Sequence, residues 1–169
     1  LWGNIFHQGT VWQASAKTIP FFLEILRDGP PDAQLKGFIV RYLHHLAMGY
    51  PEDFFPGVVE PEEAFAIAEG YTDPGGEPDF DDQRRTMSWV RDCYQGVEEA
   101  IPELAELMNS PELEVALEAI AVVVSFPRRA ELTVPILREI VRTKDGPRAI
   151  NAAISLACLA GPSALPDIE

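Results

Sequence analysis

The chain has few basic residues for its size, and none over a long internal stretch. Lysine and arginine number 13 against 27 aspartates and glutamates, which gives a formal net charge of −14 at pH 7. No lysine or arginine stands between Tyr42 and Gln83. Because contact with phosphates needs a basic stripe that releases counterions, this composition argues against a nucleic-acid partner.

Long apolar runs and cysteines are also scarce among the 169 residues. No apolar run approaches the roughly 18 residues that a membrane span needs, so no membrane association is expected. The two cysteines, Cys93 and Cys158, lie in apolar-periodic segments, which favours reduced core thiols over a disulfide framework. Together these features predict a cytoplasmic protein.

Residue types that carry catalysis are sparse as well. His7, His44 and His45 are the only histidines, and consecutive helical residues point about 100 degrees apart, so His44 and His45 do not easily chelate one metal ion. No base near Cys93 in the sequence would activate its thiol. Gly75-Gly76 lacks the strand and helix context of a phosphate loop. The sequence therefore predicts no catalytic residue, no metal and no cofactor.

What the chain does contain is a repeated helical pattern. Three segments share a β-branched residue, a proline, and an apolar run with a glutamate four residues after the proline. They begin at Ile19-Pro20, Ile101-Pro102 and Val134-Pro135. A break and a second apolar-periodic stretch follow each one, which predicts units of helix, turn and helix. Such pairs cannot bury their apolar faces alone, so we expect them to stack and share one core.

Caps and stripes set the expected helix boundaries. Residues 1–8 look like the end of a helix, and Thr10 with Gln13 forms a capping box for a helix that contains Pro20. The buried stripe of that helix is expected to comprise Ile19, Phe22, Leu23 and Leu26. Ser110 is a natural N-cap for a later helix. The inward stripe of the last helix is expected to comprise Ile150, Ala153, Ile154 and Ala157.

The middle of the chain departs from the repeat. Residues 49–81 are predicted to be an acidic, loop-rich insertion with one short helix from Pro61 to Glu69. The following helix, from Asp82 to Tyr94, can continue into the Ile101-Pro102 helix as one long kinked rod, since only Gly96 interrupts it.

The predicted fold is all-α. Residues 1–169 are expected to form a single domain, a right-handed α-solenoid of about four helix-turn-helix repeats, with residues 161–169 as a tail or a link.

The insertion concentrates negative charge, because 11 of the 27 acidic residues lie between Tyr42 and Gln83, interleaved with aromatic residues. A solvated loop that maintains solubility would explain this. The alternative is a surface that recruits a basic protein or imitates nucleic acid, since charge of one sign steers the opposite sign. Cation binding is a third possibility, although the calcium-loop spacing is absent. The acidic surface would comprise Glu62, Glu63, Asp79, Asp81 and Asp82.

A second candidate surface is the concave face, which second helices usually line in stacked helix pairs. Trp89 is the most suggestive residue, because tryptophan and arginine dominate binding hot spots. An alternative stripe with Val90, Cys93 and Val97 would bury it instead. The partner-binding candidates on this face are Arg41, His44, Arg85, Trp89, Asp92, Glu114, Glu118 and Asn151.

The proline-containing helix pairs resemble those of a HEAT-repeat or armadillo-like α-solenoid. The resemblance is most specific over Ile101 to Val124 and Val134 to Ala160. The segments His7 to Thr10 and Arg91 to Tyr94 resemble uncharacterised bacterial HEAT-repeat proteins. The ladder of aspartate and arginine that often links such repeats is not kept. Its approximate arginine positions hold Lys36, Ala116 and Asn151.

Because no catalytic set can be assembled and stacked helix pairs serve mostly as binding surfaces, the sequence predicts a non-catalytic module that binds a protein partner. The charge favours a basic partner. An immunity or antitoxin-like inhibitor of a basic toxin enzyme is an alternative suggested by charge alone. The resemblance would also allow a HEAT-type bilin lyase or DNA glycosylase, both less favoured, and the glycosylase needs a basic groove that this sequence lacks. The oligomeric state is left open.

Overall fold

The computed structural model describes residues 6–7, 10–48, 80–144 and 146–161, with side chains for residues 11–48, 88–144 and 146–161. This part of the chain is all-α, as predicted, apart from one pair of two-residue strands. The helices are α1 (Ile19–Asp28), α2 (Ala33–Met48), α3 (Phe80–Glu106), α4 (Leu113–Val123), α5 (Ala130–Thr143) and α6 (Gly146–Ala160).

The N-terminal residues form the strand pair, β1 (Phe6–His7) and β2 (Thr10–Val11), which is antiparallel. The prediction of a helix end and a capping box here is wrong, because Thr10 is a strand residue and α1 begins only at Ile19. Threonine and valine are β-branched and favour extended backbone. The extended strand also places Val11 in the core, where it is buried.

The three prolines of the repeated pattern do not share one structural role. Pro20 lies in the first turn of α1, where a backbone N–H would have no helical partner, so it removes no hydrogen bond. The prediction that Pro20 sits inside a longer helix is therefore wrong. Pro102 and Pro135 do lie inside α3 and α5.

Helix α3 is one continuous helix of 27 residues, which confirms the prediction of a single rod through Gly96. Instead of interrupting the helix, Gly96 lets α1 approach closely. A Cβ atom at Gly96 would lie 2.8 Å from Cδ1 of Ile19, at the start of α1. The missing side chain therefore sets how near α1 and α3 can lie.

Helix α4 starts two residues later than the sequence suggests. Glu112 occupies its N-cap position, without a side-chain capping bond, and the helix begins at Leu113. Ser110 does not cap α4. Its Oγ accepts a hydrogen bond from the backbone N–H of Glu112 at 3.3 Å, in the extended connection before the helix.

The last helix buries the face opposite to the one predicted. Its buried residues are Ala152, Ser155 and Leu156, whereas Ile150 and Ile154 are 60% and 59% exposed. The physical reason is that α6 is apolar on almost every side, so helical spacing alone selects no face. Small residues occupy the inner side, where Ser155 Oγ donates to the carbonyl of Ile120 in α4 at 3.3 Å.

The six helices lie in two layers, α1, α3 and α5 in one and α2, α4 and α6 in the other. Each helix packs against its sequence partner in the other layer and against its neighbour in its own layer. Four contacts between the first pair and the second advance together along the chain, each joining residues 76 or 77 positions apart. They are Ile19 with Gly96, Arg27 with Glu103, Gly37 with Glu114 and Arg41 with Glu118.

This constant separation means that α1 and α2 run in the same directions as the C-terminal half of α3 and α4, in one fixed register. The second pair contacts the last pair in the same order along the chain, although the separations vary from 31 to 38 residues. Glu98 of α3 meets Arg129 just before α5, Ser110 just before α4 meets Arg148, and Ile120 of α4 meets Ser155 of α6.

The core lies between the layers and contains most of the predicted stripe of α1, of which Leu23 is only partly buried. Ile19, Phe22 and Leu26 of α1 are buried, and the rings of Phe22 and Tyr42 pack edge to face with a centroid distance of 5.3 Å. The largest fully buried side chains are Ile39, Tyr42, Leu43, Leu46, Tyr94, Ile101, Leu104, Met108, Ile120, Phe126 and Leu137. No helix in the described ranges is long and apolar enough to cross a membrane.

Candidate binding surface

Three of the predicted partner-binding residues meet where α2 lies beside α4. Arg41 Nε donates a hydrogen bond to Glu118 Oε1 at 2.9 Å, and Arg41 Nη2 contacts the same oxygen. The side chain of Arg41 is 49% exposed and that of Glu118 is 18% exposed. One turn earlier, Glu114 lies over Gly37, where a Cβ atom would be 3.1 Å from Glu114 Cγ.

The electrostatics of this cluster favour contacts within the molecule. Glu118 raises the pKa of Arg41, first through the side-chain hydrogen bond and then through its charge, and Glu114 adds a smaller effect of the same sign. Arg41 and Glu118 thus satisfy much of each other's charge. They link one helix pair to the next, which is the role of the ladder that the sequence lacks at Lys36, Ala116 and Asn151.

His44 lies one turn further along α2 and is partly buried. Its Nε2 is 2.7 Å from Oγ of Ser125, a buried residue just after α4. Burial, and to a lesser degree His45, lowers the pKa of His44 to about 3. The hydroxyl of Tyr94 in α3 donates to the Ser125 carbonyl at 3.3 Å. The corner that follows α4 is therefore held by both α2 and α3.

A histidine beside a serine hydroxyl is also the arrangement that activates a nucleophile. Two observations argue against that role for His44 and Ser125. The hydroxyl is buried, with Ser125 only 6% exposed. A general base works best when its pKa lies near the operating pH, whereas that of His44 is about 3. The pair is better suited to holding the corner than to proton transfer.

Cys93 lies in the core with no exposed surface. Burial, with a smaller effect from Asp92, raises the pKa of its thiol to about 12. Because the thiolate is the nucleophilic form, such a thiol is unreactive at neutral pH. Burial, with a smaller effect from Cys93, likewise raises the pKa of Tyr42 to about 12. Both residues fill space between α2 and α3.

Trp89 and Asp92 were expected on the concave face but belong to α3, in the layer of α1 and α5, so they lie apart from the cluster around Arg41. Trp89 is partly buried and packs against the core, while Asp92 is exposed one turn later. Asn151 is exposed on α6, and its Nδ2 donates to the Pro147 carbonyl of the same helix at 2.9 Å. The backbone of Arg85 belongs to α3, in the portion whose side chains the structure does not describe.

The acidic surface falls mostly outside the described residues. Glu62, Glu63 and Asp79 lie outside them, as does the short helix expected from Pro61 to Glu69, and Asp81 and Asp82 belong to the first turn of α3 without described side chains. Among the described residues, no three histidine, cysteine, aspartate or glutamate side chains come close enough to hold a metal ion.

Sequence reasoning missed an exposed apolar face on α6. It comprises Ile150, Ile154, Ala157 and Cys158, all exposed, and we call it the outer face of α6. The sequence did contain one signal for it. Between Ala149 and Ala160 the helix has no charged residue on any side, so a helix with one covered side must leave apolar residues on the other.

Comparison with known proteins adds no relative. No protein-family model, no curated protein and no solved structure matches the chain. The candidate surfaces therefore stand on the geometry above.

Proposed function

We propose that the chain is a non-catalytic protein-interaction module, built as a HEAT-like α-solenoid, that binds a basic protein. The observation that carries the architecture is the separation of 76 or 77 residues that four contacts keep between the first helix pair and the second. Units that meet only their neighbours, in one register, build an extended surface of the kind that repeat proteins use for binding. Three helix pairs lie within the described ranges. A fourth pair and the right-handed sense remain part of the proposal.

The surroundings of the Cys93 thiol and the His44 imidazole support the proposal that the module is non-catalytic. The thiol of Cys93 is buried and protonated, and His44 is held by Ser125 with a pKa far below neutral. Neither group provides a nucleophile or a base at physiological pH. A bilin lyase or a DNA glycosylase would need another set of residues. An antitoxin-like inhibitor would be a special case of the same module, with a toxin enzyme as its basic partner.

The charge supports the choice of partner. A chain of net charge −14, with no lysine or arginine from residue 43 to residue 83, attracts basic proteins at long range and repels acidic ones. We place the contact on the acidic surface, with the concave face around Arg41, Glu114 and Glu118 as the other side available.

The test compares three baits in affinity purification from source cells, read out by mass spectrometry. The first is the unaltered chain. The second carries Glu62→Gln, Glu63→Gln, Asp79→Asn, Asp81→Asn and Asp82→Asn. The third is a charge-matched control that neutralises five exposed acids on the helices, Glu24, Asp28, Glu99, Glu106 and Glu131. Circular dichroism of all three checks that the helices persist, since acids near a helix N-terminus stabilise it.

A basic protein captured by the first and third baits and lost from the second would support the proposal. Its association rate should then fall as salt rises, because screening at 0.15 M limits the reach of charge to about 8 Å. Identical partners on all three baits would reject the acidic surface and move the contact to the concave face. Equal loss from the second and third baits would show that only net charge matters.

A further inference from the structure

The outer face of α6 is a continuous apolar stripe. Ile150, Ile154, Ala157 and Cys158 stand at positions i, i+4, i+7 and i+8, which lie on one side of a helix. Ile150 and Ile154 are 60% and 59% exposed, and among the large apolar side chains of the described ranges only Phe21 is more exposed. They face away from α4 and α5, which cover Ala152, Ser155 and Leu156 on the opposite side.

This face is also free of charge, on a chain whose net charge is −14. Arg148 is the one charged residue of α6, and its Nη2 donates to the Ser110 carbonyl before α4 at 2.8 Å. Asn151, at the edge of the stripe, bonds the carbonyl of Pro147 in its own helix. An exposed, uncharged apolar stripe on such an acidic chain is typical of an interface.

We propose that the outer face of α6 binds the same face of a second copy of this chain, around a two-fold axis at Ile154. A partner selected by positive charge would find no carboxylate to meet on this stripe, so the proposed basic ligand does not account for it. Two copies repel each other through their net charge, and they can touch without opposing carboxylates only where both surfaces are uncharged. The outer face of α6 meets that condition on both sides.

The two-fold arrangement also matches the spacing of the stripe. Two antiparallel α6 helices crossing at Ile154 place the two Ile154 side chains together and set Ile150 of each copy opposite Cys158 of the other. Ala157 is small, which permits the approach of 8 to 10 Å between axes that packed helices adopt. Such a contact uses the same patch on both copies and leaves neither patch free, so assembly stops at the dimer.

The size of the contact predicts a weak dimer. One helix face from each copy lies at the low end of specific interfaces, so we expect half of the chain to be associated at roughly 10 to 100 µM. The salt dependence should be opposite to that of binding a basic protein. Added salt screens the repulsion between the two acidic copies and leaves the apolar contact intact, so the dimer should become tighter.

Sedimentation equilibrium between about 1 µM and 1 mM, at low and high salt, tests the proposal. The unaltered chain should move from the mass of one chain, 18.7 kDa, towards twice that mass, and more readily at high salt. Ile154→Lys should remain a monomer throughout. Phe21→Lys, which alters an equally exposed apolar residue on α1, should dimerise as the unaltered chain does. A monomer at every concentration, or equal dimerisation of the Ile154→Lys variant, would overturn the proposal.

A disulfide distinguishes the two-fold arrangement from other contacts through the same face. Ile150→Cys should cross-link to the natural Cys158 of the other copy under mild oxidation, giving a covalent dimer on a non-reducing gel. Within one helix these positions are about 12 Å apart, too far to join. Adding Cys158→Ser should abolish the product. A dimer that Ile154→Lys disrupts but that never cross-links would overturn the antiparallel geometry. Retained capture of the basic partner by Ile154→Lys would separate this inference from the proposed function.

Discussion

The two sides of α6 make a sharp prediction about stability. Leu156 has no exposed surface, whereas Ile154 is 59% exposed. Truncating a fully buried leucine to alanine removes its transfer free energy and leaves a cavity, at a cost of about 2 to 5 kcal/mol. Leu156→Ala should therefore lower the free energy of unfolding by an amount in that range.

Ile154→Ala should have a much smaller effect. About two-fifths of the Ile154 surface is buried, so truncation loses roughly 0.6 to 1.2 kcal/mol of the 1.5 to 3 that full burial provides. Alanine returns up to about 0.7 kcal/mol through its higher helix propensity. The net loss should stay below about 1 kcal/mol.

The assay is urea unfolding followed by circular dichroism at about 1 µM protein, below the expected range of self-association. Equal slopes of free energy against urea would show that the two variants unfold from comparable states. The structural assignment of α6 would be refuted if Ile154→Ala cost more than Leu156→Ala, because that order belongs to the inward stripe expected from the sequence alone.

Three further predictions concern polar groups and thiols. In the folded protein His44 stays neutral until the pH falls to its pKa of about 3, whereas in the unfolded chain it takes up a proton near pH 6.5. The free energy of unfolding should therefore fall by about 2 kcal/mol from pH 7 to pH 5. His44→Gln should lack this part of the loss in the same denaturation series. A double-mutant cycle of Arg41→Met and Glu118→Gln should give a coupling of about 0.2 to 1 kcal/mol that shrinks at 1 M salt, because the arginine is half exposed. A coloured disulfide reagent should titrate one thiol in the native protein, Cys158, and reach Cys93 only after unfolding; reaction of both native thiols would contradict the buried position of Cys93.

The sequence predicted helices best where one face is apolar and the other polar. Of the expected stripe, Ile19, Phe22 and Leu26 are buried and Leu23 is partly buried, because only one side of α1 could enter a core. The continuous rod through Gly96 was also predictable, since one glycine costs a helix only about 1 kcal/mol.

The sequence failed where local signals compete or are symmetric. Thr10 with Gln13 matches a capping box, but Val11 packs in the core and Thr10–Val11 pairs as a strand with Phe6–His7. These tertiary contacts favour extended backbone over a helix start. Helix α6 offers two apolar sides, and only the approach of α4 and α5 decides between Leu156 and Ile154. Neither effect is contained in residues close together in the chain.

The candidate surfaces were predictable in part. Helical spacing predicted that Arg41, Glu114 and Glu118 share the concave face, and the structure brings them together where α2 lies beside α4. Spacing could not show that Arg41 would bond Glu118, because the bond joins residues 77 positions apart. The same distance in sequence hides the contact of His44 with Ser125.

The separations between stacked helix pairs also imply an order of assembly. The contacts that join the last two pairs span 35 and 38 residues in one layer, whereas those to the first pair span 76 and 77. Each doubling of a closed loop costs about 0.6 kcal/mol of chain entropy. The C-terminal half of α3 with α4, α5 and α6 should therefore order first during folding. The pair α1 and α2 should dock last and, by the same reasoning, be the first part to open and exchange its amide hydrogens.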